Sequence, residues 1–149
     1  MLPKYHIILG FLFSLILWII FPSISILGAL IIFFSSFLID VDHYLYFVLN
    51  KQNINLKNAY NYFVKKRKIA IAKKTKNKNP NPLMYLFHGI EVLLILFILG
   101  IFTNKIFLFI FIGFSFHLFL DLVEQIYYGF RIAKISLIFD FVKKINEKS

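Results

Sequence analysis

The sequence predicts an all-α membrane protein: a four-transmembrane-helix bundle of two hairpins, with a basic cytoplasmic linker and an amphipathic C-terminal helix. Three observations lead there. The 149 residues are 60% hydrophobic, against about 45–50% in an ordinary soluble domain. The apolar residues gather into four long runs. Nearly all the basic residues fall on one side of those runs. The whole chain, 1–149, reads as a single transmembrane helical domain.

The first run, HIILGFLFSLILWIIF, covers residues 6–21. No small-residue cleavage motif follows it, only FPSIS, so it reads as a retained helix and not as a cleaved signal. Pro22 and Ser23 break the chain, and ISILGALIIFFSSFLI follows from 24 to 39, continuing as helix to about 48. The third helix spans 83–102, with Asn81 as its N-cap and Pro82 as its first residue. The fourth spans 106–128 after the tight turn Thr103-Asn104-Lys105. A hydrocarbon core about 30 Å thick needs roughly 20 helical residues, which each run approaches once its flanks are counted. Helices are favoured over strands because backbone groups in lipid must bond within their own segment.

Between the hairpins lies a basic, Asn-rich linker, residues 50–82. Leu56, Tyr60, Phe63 and Val64 recur in it at helical spacing. That pattern fits a helix lying flat on the membrane or a solvated loop, and the spacing alone leaves both open. The tail, residues 130–149, contains IAKISLIFDFVKKI and reads as an interfacial amphipathic helix.

Orientation follows from charge. Net charge is +10, and ten of the seventeen basic residues lie between Lys51 and Lys78 with no acidic residue among them. With four crossings, both termini and the linker share one side. That side collects sixteen basic residues, and the other has only Lys105. Positive charge marks the cytoplasmic face, so the expectation is an integral protein of the cell membrane with cytoplasmic N- and C-termini. The partner is then the lipid bilayer; no nucleic acid is expected, and the sequence is silent on oligomeric state. There are no cysteines, which excludes disulfides and thiolate metal sites.

The stretch FLIDVDHYLYF poses the chemical question: ionisable groups inside apolar helices cost kilocalories and usually mark function. Asp40, Asp42, Glu91, Asp121 and Glu124, with His6, His43, His88 and His117, all lie in or at the edges of the apolar runs. Given the topology, all nine fall at the cytoplasmic third of the bundle. Asp40 and His43, and His88 and Glu91, are spaced to share a helix face, while His117, Asp121 and Glu124 form an i, i+4, i+7 stripe. Carboxylates and His at such spacings on facing helices build metal sites in bundle cores. His6, Asp40, Asp42, His43, His88, Glu91, His117 and Asp121 are therefore the candidate ligands of a divalent metal, zinc first, with manganese or magnesium as alternatives. Asp42 and Glu124 are the candidate general bases. No basic residue lies inside the helices to pair with Glu91 or Glu124, which directs those carboxylates toward metal or proton chemistry.

These residues also carry a family resemblance. His6, then Asp40-Val41-Asp42-His43, then His88, then Gly113, His117 and Asp121 in order resemble the YdjM-type family of predicted membrane-bound metal-dependent hydrolases. The match spans nearly the whole chain apart from the linker and tail. That family is distantly similar to the zinc-dependent phospholipase C and single-strand nuclease superfamily, which implies a phosphate-containing or lipid substrate. In place of the His-Arg pair often found before the third-helix His, this chain has Pro82-Leu83-Met84-Tyr85, and Glu91 is the residue available to replace a ligand. The expected function is hydrolysis of a phosphoester or phospholipid-type substrate at the cytoplasmic membrane face through metal-activated water. The rival is a proton or metal-ion transporter, which needs polar access from both sides; the outer halves of the helices offer only Ser14, Ser25, Thr103 and Asn104.

Overall fold

A computed structural model describes residues 2–73, 87–128 and 136. Among them all regular structure is helical: α1 (Pro3–Ile20), α2 (Ile26–Leu38), α3 (Val41–Lys51), α4 (Leu56–Lys73), α5 (Ile90–Phe102) and α6 (Ile106–Tyr127). Three stretches are long and apolar enough to cross a membrane: Pro3–Ile20, Ile26–Lys51 and Ile106–Tyr127. α5 has 13 residues, short of the roughly 20 a crossing needs. The expected N-cap at Asn81 and, Ser136 apart, the expected tail helix over 130–149 lie outside the described residues.

The chain divides into two compact units, residues 1–39 with 90–121, and residues 40–89 with 122–149. It passes between them at Ile39–Asp40, Gly89–Ile90 and Asp121–Leu122.

The first unit is built from α1, α2, α5 and most of α6. Pro3 occupies the first turn of α1, where its missing N–H costs nothing. Ser25 caps α2, its side-chain oxygen accepting the Gly28 N–H at 3.1 Å, a contribution of about 1 kcal/mol. Small residues set the spacing. A methyl on Gly113 of α6 would reach within 2.6 Å of the Ile32 carbonyl oxygen on α2, so only glycine permits that approach. Around α6, Phe116 stacks on Phe13 of α1 with centroids 3.9 Å apart, and Phe111 meets Phe97 of α5 at 5.4 Å. The hydroxyls of Ser14, Ser35 and Ser36 bond back to carbonyls of their own helices, Phe11, Ile31 and Phe33, and so add no unsatisfied polarity. The side chains left outside are large and apolar, such as Ile8, Ile19, Ile95, Phe102 and Phe119, as expected of helices solvated by lipid.

The second unit contains α3, α4 and the last turn and a half of α6. The expected helix over 24–48 is present as α2 and α3, joined through Ile39 and Asp40, which both keep right-handed helical backbone, and helical bonding resumes with the His43 and Tyr44 N–H groups on the Asp40 carbonyl. α3 closes on Gln52 in the left-handed conformation, φ 49°. Asn55 then opens α4 by accepting the Lys57 and Asn58 N–H groups at 2.9 and 3.2 Å. The described part of the linker is thus not a loop throughout. Over 56–73 it is a helix that packs part of its apolar side on α3: Tyr62 lies 5.5 Å from Phe47, Phe63 lies 5.6 Å from His43, and Ala59 is buried, while Leu56, Tyr60 and Ile69 stay exposed.

The third expected helix, 83–102, is also corrected. Residues 87–89 are a turn, and the described helix begins at Ile90. The Phe87 N–H is donated to the Asp42 carboxylate at 3.2 Å, and side-chain bonding of this kind competes with helical pairing.

Candidate metal-binding clusters

In the second unit, the centre is the Asp42 carboxylate, only 2% exposed. Its Oδ1 lies 2.6 Å from His43 Nδ1, and its Oδ2 lies 2.9 Å from His88 Nδ1 and accepts the Phe87 N–H. With Asp42 ionised, both contacts require Nδ1 to carry a proton, so in the neutral ring it is Nε2 that holds the lone pair. His88 Nε2 is 3.8 Å from Asp40 Oδ1, and the two imidazole centroids are 5.0 Å apart. One donor atom each from Asp40, His43 and His88 lies within 4.8 Å of the others. Ligands about 2.0–2.2 Å from a tetrahedral zinc stand about 3.3 Å from one another, so a small contraction of this set suits a metal ion. A carboxylate fixing the far nitrogens of two imidazoles is the usual outer support of a metal site.

The local chain explains why these residues meet. Asp40 precedes the first residue of α3 and His43 follows three residues on, so the helix start carries both on adjoining positions. His88 comes from the turn before α5, not from the helix.

In the first unit, His6 and His117 are fully buried and stacked, with centroids 3.8 Å apart and planes 14° apart. Asp121, one turn after His117, places Oδ1 3.2 Å from His6 Nε2 and Oδ2 3.5 Å from His117 Nε2. His117 Nδ1 donates to the Ser36 carbonyl at 2.8 Å. That carbonyl is in the last turn of α2, where backbone acceptors lack intrahelical partners. Nδ1 of His117 therefore carries a proton, and its Nε2 is the nitrogen that faces Asp121.

Two of the expected residues stand apart. Glu91 is half-buried in the first turn of α5 and belongs to none of the groups of donor atoms within ligand distance of one another. Glu124 is paired: Arg67 Nε donates to its Oε1 at 3.0 Å, with Nη2 on the same oxygen. The expectation that no basic residue reaches Glu124 is therefore corrected. Arg67 lies in the linker, and α4 supplies it from outside the apolar runs. Nothing in the spacing signalled this pair, nor the parts played by the Ser36 carbonyl and the Phe87 N–H, since backbone groups are present at every position.

No family model matches the chain, and neither does any curated protein or solved structure.

Proposed function

We propose that the protein is a membrane-bound, metal-dependent hydrolase with its chemistry at the cytoplasmic face. The observation that carries this reading is Asp42, one buried carboxylate holding the Nδ1 atoms of His43 and His88 while Asp40 stands 3.8 Å from His88 Nε2. Asp40, His43 and His88 would hold a divalent cation, zinc before manganese or magnesium because the donors are imidazole and carboxylate. Such a cation supplies Lewis acidity and makes hydroxide accessible from water near neutral pH. Asp42 keeps the Nδ1 protons in place and orients both rings, so its part is positioning and not direct ligation or proton abstraction. His6, His117 and Asp121 offer a second set of two imidazoles and a carboxylate, with the His117 ring held by Ser36.

The family resemblance rests on these same residues and supports a phosphoester or phospholipid-type substrate. The sixteen-to-one basic asymmetry supports cytoplasmic termini. Elemental analysis of detergent-purified protein, followed by assays on a generic phosphodiester and a phospholipid, tests the reading. Stoichiometric divalent metal, lost with activity in Asp40→Ala and His88→Ala, is expected. Metal-free protein whose variants behave like the parent would overturn the reading and leave proton relay as the better account.

A further inference from the structure

α4 carries six basic residues and no acidic one. Its inner side, Ala59, Tyr62 and Phe63, packs on α3. The side that remains open holds Lys57, Asn61, Lys65 and Lys68, all exposed and spaced i, i+4, i+8, i+11, which is one continuous stripe along a helix. The corner leading into α4 carries Leu49, Ile54 and Leu56, each between 69% and 78% exposed. α4 starts five chain steps after Lys51, where the stretch Ile26–Lys51, long and apolar enough to cross a membrane, ends. Five steps reach at most about 18 Å, so the helix is tethered at the level of the lipid headgroups.

From these features we infer that the outer stripe of α4 docks on the anionic phospholipid surface of the membrane that holds the protein. Charge complementarity selects this occupant. Three lysines face outward with no carboxylate on the same helix, and the apolar corner beside them can sit at the acyl boundary while the ammonium groups meet phosphates. Binding is chiefly electrostatic, because Tyr62 and Phe63 of α4 are already used against α3 and the open stripe is lysine and asparagine. The inference does not rest on the metal reading.

The chain has no cysteine, so Asn61→Cys places a single thiol in the middle of the stripe. Full-length protein carrying it is reconstituted in nanodiscs of phosphatidylcholine alone, or phosphatidylcholine with phosphatidylglycerol, and labelled with a membrane-impermeant maleimide. Labelling is expected to be slower in the anionic discs and to recover in high salt. It is also expected to recover by about fivefold for each lysine changed in Lys57→Gln, Lys65→Gln and Lys68→Gln, the factor one such contact contributes. Equal labelling in both lipids at low salt would overturn the inference. So would protection that appears only on adding a short oligonucleotide, since the partner would then be a soluble polyanion.

Discussion

Asp42 Oδ2 and His88 Nδ1 lie 2.9 Å apart although 46 positions separate them, and the other oxygen of the same carboxylate is on His43. Asp42→Asn keeps the shape but leaves one carbonyl oxygen to accept, and the amide NH2 forces one imidazole into the opposite tautomer. Metal affinity is expected to fall about 10–100-fold, as when an outer-shell partner is lost, with helix content unchanged. Zinc titration after chelator treatment, with circular dichroism alongside, reads both. Undiminished affinity would show that Asp42 orients nothing.

His117→Ala and Asp121→Ala should each lower metal content per chain and hydrolytic activity, while the protein still reaches the membrane fraction. Insertion depends on the apolar stretches, which these changes leave intact or make more hydrophobic. Loss of insertion instead of metal would make the pair structural.

Gly113→Val tests the close approach of α6 to α2. The added carbon meets the Ile32 carbonyl at 2.6 Å, a backbone atom that cannot rotate away. Destabilisation of about 1–3 kcal/mol is expected, read as a lower thermal midpoint in detergent. An unchanged midpoint would mean the helices separate without penalty.

The Arg67–Glu124 pair is reached by a double-mutant cycle of Arg67→Ala and Glu124→Ala. Both side chains are partly buried, 26% and 13% exposed, and Arg67 donates two hydrogen bonds to one oxygen. A coupling of about 1 kcal/mol is expected. Additive effects would dismiss the pair as a contributor to stability.

Topology is checked by reporter fusions after Lys76, at Asn104 and after Ser149. Cytoplasmic signals are expected at the first and last and none at Asn104, from the distribution of basic residues. An external signal at Lys76 would reverse the orientation.

Hydropathy sums over many residues, so no single contact can conceal it. That is why the helical class, the extent of the fourth run and the apolar stretches of α1 and α6 were all legible in the chain. Ionisable residues in such runs are conspicuous for the same reason, and seven of the named groups do meet in clusters: His6, His117 and Asp121 in one, Asp40, Asp42, His43 and His88 in the other. Their roles were not legible. Asp42 becomes the shared acceptor only because the turn at 87–89 brings a ring and an N–H to it. Glu124 is claimed by Arg67, whose reach depends on how α4 packs on its unit. Breaks, tautomers and ion pairs turn on distances of a few ångströms between residues far apart in sequence, and periodicity along one helix carries no information about those distances.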